Sequence, residues 1–237
     1  MSRQSAAVAV FVKTPRLSPI KTRLAADIGL ERSAEFYHLS VTCIAATVAA
    51  VAKSTGATPY WAVAEEAGLD DPLWQQFPCV SQGEGDLGDR LHKVFDELIL
   101  QHTAVVLIGA DSPQLTPTIL KHAIQFLIDP HDHFNYVLGR THDGGFYLFG
   151  SNAQIQQEAW STIPYSTVNT AESLAANLLP SGNIRELARL TDVDVVEDLA
   201  ILRNELLTVS AQVPEQICLL EWLEQTIGDL QGNSDVQ

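Results

Sequence analysis

Val105-Val106-Leu107-Ile108 runs directly into Gly109-Ala110-Asp111-Ser112-Pro113. Four consecutive apolar residues predict a strand buried on both faces, as found inside a parallel sheet. Gly109 and Ala110 strip away side chains just ahead of a carboxylate. Pro113, which has no N–H to give a ladder, is predicted to stop the strand. Ligands of open α/β sheets bind beyond the carboxyl ends of the strands, so Asp111 is placed for a metal or a ligand hydroxyl. A helix N-cap is the plainer role for an acid there. Ser112 or Thr116, however, can cap the helix predicted from Pro117 to about Ile128 without it.

The rest of the chain alternates strand and helix around that stretch. Strands are predicted at Ala6–Val12, Thr58–Ala64, Phe77–Ser81, Tyr136–Gly139, Phe146–Phe149 and Ile184–Leu187. Helices are predicted at Lys21–Ala26, Glu31–Lys53, after Gly88, and at Asn152–Trp160, Thr167–Leu179, Val195–Leu207 and Pro214–Ile227. In the second of these, Tyr37, Val41, Ile44, Val48 and Val51 form one apolar stripe. The alternation predicts an α/β fold, a three-layer α/β/α sandwich with a mainly parallel central sheet. Residues 1–207 read as one domain, and 208–237 as a C-terminal helical appendage with a tail frayed from Gly232.

The net charge is −15, which disfavours nucleic acid or an acidic membrane surface as a partner. It also makes the position of the cations informative. Arg3, Lys13, Arg16, Lys21 and Arg23 all lie in the first 23 residues, out of 14 Lys and Arg in the chain. A local basic patch between the first strand and the first helix suggests a compact anion, because helix N-termini and Arg both favour phosphate. Three cysteines without C-x-x-C, no signal-peptide pattern and no apolar run judged long enough to span a bilayer lead to the expectation of a cytoplasmic protein.

Two further groups of residues carry chemistry. Asp192 and Asp194 precede a helix and can complete an oxygen site for Mg²⁺ or Mn²⁺, with phosphate oxygens filling the remaining positions. For Asp194 a capping box with Glu197 competes. Asp143-Gly144-Gly145 reads as a hairpin turn or as a place where backbone meets a ligand, with His142 beside it. His131-x-His133 has metal-like spacing in a loop of the kind that is usually solvated. Gly83-Glu84-Gly85-Asp86-Leu87-Gly88 matches G-x-G-x-x-G formally and offers an alternative reading, NAD-type dinucleotide binding. Glu84, Asp86 and Asp89 would repel a pyrophosphate there.

Phe11-Val12-Lys13-Thr14-Pro15 with Ile20-Lys21-Thr22-Arg23-Leu24 resembles the opening of a bacterial family of glycosyltransferase-A-type fold, the radical-SAM/selenodomain-associated transferase type of the nucleotide-diphospho-sugar transferase superfamily. The resemblance continues in order through Gln82–Arg90, Ile108–Pro113, Asp143–Leu148, Ile163–Thr167 and Asp192–Leu199. It departs from that pattern at Ser18-Pro19, where glycine is usual, at Tyr165 (usually Trp), at Phe146 (usually Tyr), and near Val196, where a proline is common. The Lys-Thr-Arg-Leu loop also looks like that of guanylyltransferases acting on a small phosphorylated acid.

The resemblance implies a transferase binding a nucleoside triphosphate or a nucleotide sugar plus a small-molecule acceptor. The reaction would be nucleotidyl transfer to an anionic acceptor or glycosyl transfer. Lys21, Arg23 and Asp111 would be catalytic. Lys13, Thr22, Gly88 and Arg90 would bind the nucleotide, and Asp143, Gly144 and Gly145 the acceptor or sugar. Asp111 and Asp194, with Asp192 competing, would hold Mg²⁺ or Mn²⁺. A non-catalytic nucleotide-sensing module is a further alternative, and a homodimer stays open.

Overall fold

The computed structural model describes residues 6–129, 135–210 and 212–234. Its seven strands are β1 (Ala7–Val12), β2 (Thr58–Val63), β3 (Cys79–Ser81), β4 (Val105–Gly109), β5 (Asn135–Arg140), β6 (Phe146–Ser151) and β7 (Asn183–Glu186). They form one sheet in the order β3-β2-β1-β4-β6-β5-β7. All run in one direction except β6, which is antiparallel to both of its neighbours. The expected mainly parallel sheet is present.

β4 sits inside the sheet between β1 and β6. Its residues alternate between two cores, as a pleated strand requires. Val106 and Ile108 pack with α2 (Leu30–Thr55) and α4 (Pro117–Ile128) on one face. Val105 and Leu107 pack on the other with α3 (Leu87–Ile99), the short α5 (Glu158–Ser161) and α6 (Thr170–Leu178). This is the three-layer sandwich. The strand ends at Gly109, so the segment from Ala110 is already loop before Pro113 is reached.

A third core joins α1 (Thr22–Ile28), α2, α7 (Val196–Thr208) and α8 (Pro214–Ser234) around Leu24, Phe36, Leu199, Leu206, Leu219 and Leu223. The C-terminal helix contributes Leu219 and Leu223 to this core and runs to Ser234. Gln216 is wholly buried; its Nε2 donates to Pro113 O at 2.8 Å and Leu115 O at 3.2 Å. Thr47 Oγ1 also donates to Leu115 O, at 3.1 Å. The helix thus props the loop that follows Asp111. Gln216→Leu leaves Pro113 O without this donor, at a cost of about 1–3 kcal/mol. Urea unfolding should show that loss at constant m; an unchanged midpoint would remove the prop from the account.

The expectation that no segment could span a bilayer needs correction. α2 is 26 residues long and apolar enough to cross a membrane by length and composition. In this fold it packs into two cores. Phe36, Cys43, Ile44, Val48 and Val51 are buried, and its buried Ser40 donates to Ala110 O. Two other boundaries differ from expectation. The helix predicted at Asn152–Trp160 shrinks to α5, because Asn152 instead bridges strands and helix: Nδ2 donates to Leu127 O and Oδ1 accepts from Asn135 N, each at 3.0 Å. The helix predicted from Thr167 starts at Thr170, whose Oγ1 is tied to Pro164 O at 2.9 Å and Thr167 O at 2.8 Å.

Candidate active site

Parallel strands deliver their carboxyl ends to one edge, so the segments after β1, β4, β5 and β7 meet there. The hairpin turn Thr141–Gly145 enters β6 from the same edge. Together they border a cleft of about 790 Å³, reached by Lys13, Lys21, Asp111, Asp143, Asp192 and Asp194. That volume lies in the range of small-molecule sites.

Lys21 is at the centre. Its backbone is left-handed (φ 43°, ψ 42°) at the N-cap of α1, a conformation that costs a residue with a Cβ roughly 1–2 kcal/mol. The turn sends the side chain inward, where it is 5% exposed. Nζ lies 2.6 Å from Asp111 Oδ1 and 3.6 Å from Asp194 Oδ1, and donates to Val193 O at 2.5 Å. Burial alone would lower its pKa. Asp111, Asp192 and Asp194 outweigh that and raise it, so the ammonium stays charged.

The acids differ among themselves. Asp111 and Asp194 are 40% and 48% exposed. Asp192 is only half-buried by surface but crowded on all sides. Burial, then Asp111, pushes its carboxyl up to about 8 against the opposing pull of Lys21, and Asp194 and Asp143 add to the rise. The capping role weighed for Asp194 belongs elsewhere. Asp198 Oδ2 accepts from Asp194 N at 2.8 Å and from Val195 N at 2.9 Å. The helix begins at Val196, so the third helical position is Asp198. Asp194 keeps its carboxylate for Lys21 and for Arg23, whose Nη1 is 3.3 Å from Oδ2.

The basic patch does not converge as the sequence suggests. Lys13 is exposed beside the cleft; its backbone N donates to Tyr37 Oη at 2.9 Å, and Tyr37 returns a bond to Lys13 O at 2.8 Å. Arg16 turns away to the carboxylate of Asp71. Lys21 and Arg23 face carboxylates. Thr22, at the start of α1, lines the cleft. Arg3, His131 and His133 lie outside the described residues. Among the described residues no group of three or more His, Cys, Asp and Glu side chains stands ready to hold a metal ion. Asp111, Asp192 and Asp194 are neighbours, yet the ammonium of Lys21 lies among them.

The glycine-rich turn is built for packing. Asp86 Oδ1 accepts from Asp89 N at 3.0 Å, and Asp86 N donates to Asp89 Oδ2 at 3.3 Å, which caps α3. A Cβ on Gly88 would stand 2.8 Å from the Tyr165 ring and 2.9 Å from Trp160 O. Arg90 Nε donates to Gly85 O at 3.1 Å. Neither Gly88 nor Arg90 lines the cleft; Gln82, Leu87 and Leu91 from this region do. The turn follows β3 at the sheet edge, and its helix N-terminus is closed by carboxylates, a poor setting for a pyrophosphate.

The Asp143 turn does reach the cleft. Asp143 Oδ1 accepts from Thr141 Oγ1 and, at 3.1 Å, from Gly145 N. Gly144 has φ +94° and its O accepts from Ala171 N at 2.9 Å, joining the turn to the start of α6. His142, adjacent, points to Glu205, with Nε2 3.4 Å from Oε1.

Glu205 has no signal in the sequence, yet it ties the acidic loops together. Oε2 accepts from Gln114 Nε2 at 2.6 Å and Thr191 N at 3.2 Å, and Oε1 accepts from Thr191 Oγ1 at 2.8 Å. Gln114 Nε2 also donates to Thr191 O at 2.8 Å. The segment after Asp111 is thereby fastened to the segment before Asp192. Two cleft hydroxyls, on Ser112 and Tyr165, are enclosed without a hydrogen-bond partner among the described residues.

Residues 45–167 match the family model described as "Uncharacterized protein conserved in bacteria (DUF2064)". No curated protein matches the chain. Among solved structures, a proposed nucleotide-diphospho-sugar transferase from Desulfovibrio desulfuricans G20 aligns with a TM-score of 0.80 at 22% identity, over 95% of this chain and 97% of its own. The 4-diphosphocytidyl-2C-methyl-D-erythritol synthase of Anaerococcus prevotii DSM 20548 aligns with a TM-score of 0.55 at 9% identity, over 86% and 99%. A CMP:2-keto-3-deoxy-manno-octonic acid synthetase complexed with CTP aligns with a TM-score of 0.51 at 14% identity, over 84% and 97%. The fold is that of the nucleotide-diphospho-sugar transferases.

Proposed function

We propose that this chain, which belongs to the DUF2064 family of proteins conserved in bacteria, is a transferase that takes a nucleotide donor in the cleft at the carboxyl edge of its sheet. The observation that carries the reading is the meeting of Asp111, Asp192 and Asp194 with Lys21 and Arg23 at that edge. Such an arrangement recognises opposite charges at once. The cations suit phosphate oxygens, and the acids suit a hard divalent cation. The fold neighbour that holds CTP supports a nucleotide as the ligand.

The acids fit Mg²⁺ or Mn²⁺ by donor type. Burial, and after it the charges of Asp111, Asp194 and Asp143, push the Asp192 carboxyl up; a divalent cation would offset the charge part of that rise. Asp111 with Asp194, or Asp192 in its place, would hold the ion. Bound there, it would neutralise phosphate charge. Lys13, Lys21 and Arg23 would bind and orient the phosphates and stabilise charge on the departing group. Asp143 and Gly145, which line the cleft, would contact the acceptor; Gly144, expected beside them, does not line it. Glu205 would hold the two acidic loops in register.

Nucleotidyl transfer to a small anionic acceptor is favoured over glycosyl transfer, because three cations flank the cleft and suit a triphosphate. The test is thermal unfolding with CTP, GTP, UTP, UDP-glucose, GDP-mannose and NAD, each with and without Mn²⁺. A donor at 100 times its Kd stabilises by about 2.7 kcal/mol. We expect a Mn²⁺-dependent rise with a triphosphate that Asp111→Asn abolishes. A rise with NAD alone would overturn the reading. Binding without turnover of any donor would leave a sensing module.

A further inference from the structure

Lys21 has two partners in prospect and one position. As the chain stands, its ammonium is not turned to solvent, where an arriving phosphate would meet it. It is 5% exposed and held on three oxygens: Asp111 Oδ1 at 2.6 Å, Val193 O at 2.5 Å and Asp194 Oδ1 at 3.6 Å. Arg23 touches the other oxygen of Asp194 from outside, at 3.3 Å, and is 69% exposed. Among the described cations, Lys21 is therefore the one that stands between the acidic loops. The left-handed backbone at residue 21 fixes that direction, since the side chain leaves from a turn pressed against the Val193 segment.

We propose that Lys21 is a resident counter-ion, its ammonium occupying the place among Asp111, Asp194 and Val193 O that a divalent cation requires, so that metal enters only as Lys21 withdraws. This rests on the reading above that the acids hold Mg²⁺ or Mn²⁺. A hard cation needs its oxygens at about 2.0–2.6 Å. An ammonium 2.6 Å from Asp111 Oδ1 blocks that approach and repels the ion by like charge. The withdrawn ammonium would be free for donor phosphate, so Lys21 serves the acids first and the phosphate second.

The experiment is a Mn²⁺ titration of the nucleotide-free protein, read by the electron paramagnetic resonance signal of free Mn²⁺. Wild type, Lys21→Met and the Lys21→Met/Asp111→Asn double variant are compared. Lys21→Met keeps the length of the stem and removes the charge. It should bind Mn²⁺ about tenfold or more tightly than wild type, within the range of coupled sites, and the added Asp111→Asn should remove the gain. Equal affinity in wild type and Lys21→Met overturns the counter-ion and leaves the metal reading standing. No binding by any of the three, with or without a nucleoside triphosphate, overturns both.

Wild type supplies a second measurement should Lys21→Met not fold. Acetic anhydride labelling read by mass spectrometry should find Lys21 protected in the metal-free protein and reactive as Mn²⁺ is added. Lys21 as reactive as exposed Lys13 before Mn²⁺, or still protected when Mn²⁺ is bound, overturns the proposal.

Discussion

Asp192→Asn raises the melting temperature of the metal-free protein at pH 8–9 and leaves it nearly unchanged near pH 4. Burial and the charge of Asp111 push the Asp192 carboxyl up to about 8 in the folded chain, whereas an unfolded Asp titrates near 3.9. Between those values the native state binds the extra proton, so stability falls as pH rises. The penalty is absent below about pH 4, grows through the interval, and is complete above about pH 8. At about 1.4 kcal/mol per unit the whole interval is worth at most roughly 6 kcal/mol. Relaxation and water entry around the half-buried carboxyl reduce the share lost with this one group to about 2–3 kcal/mol. For a chain of this size that is about 5–10 °C. Saturating Mn²⁺ should narrow or reverse the gap, because it stabilises the ionised wild type. Calorimetry of both proteins across pH decides it. A gap that does not change with pH would show that Asp192 does not carry the repulsion assigned to it.

The parts of this fold that could be read from the chain are those that leave a local mark. β4 is one, because burial on both faces forces a run of apolar residues, and the acid that ends it stands out. The helix from Pro117 to Ile128 is another: Thr116 at the N-cap, its Oγ1 accepting from Ile119 N at 3.2 Å, and Pro117 next to it are a start signal that needs no tertiary help.

The partner of Lys21 was not legible. Cations near a helix start point to phosphate on general grounds, but Asp111 and Val193 arrive from 90 and 172 residues away, and only the sheet order brings them. Glu205 and Gln216 were hidden for the same reason: each is a polar residue on a helix whose partners lie on distant loops. The cap of α7 was missed by one residue. Asp194 and Glu197 have the same spacing as Val195 and Asp198, and the helix start decides between them. The glycine turn after β3 lost its dinucleotide meaning through topology, since an edge strand in place of a central one precedes it.

Gly144→Ala should be among the most damaging single substitutions at the cleft, and Gly145→Ala much milder. Gly144 lies at φ +94°, a conformation that L residues with a Cβ rarely adopt. A Cβ there would stand 2.1 Å from Val168 O and 2.5 Å from Val168 C and Cα. These are backbone atoms, so no rotamer change relieves the overlap. Either the turn or the 165–168 segment must move. Movement breaks the bond from Ala171 N to Gly144 O, 2.9 Å long, and disturbs the start of α6, where Ala171 is fully buried. Adding roughly 1–2 kcal/mol for the backbone to about 1–3 for overpacking gives a loss of about 2–5 kcal/mol.

At Gly145 the nearest atoms to a new Cβ are Thr141 Oγ1 at 2.9 Å and Asp143 Oδ1 at 3.4 Å. Both are side-chain atoms able to shift, and the left-handed conformation is confined to Gly144 in this turn. The contrast also separates stability from chemistry. Tyr165, Ser166 and Val168 line the cleft, so their displacement by Gly144→Ala should weaken whatever ligand the cleft takes even where the protein is still folded. Gly145→Ala should disturb mainly the ring that Asp143 forms with Thr141 and Gly145 N. Calorimetry together with nucleotide binding at a temperature where both variants are folded is the measurement. A Gly144→Ala protein as stable as wild type would mean that the turn and the 165–168 segment are not pressed together as described, and this wall of the cleft would have to be drawn differently.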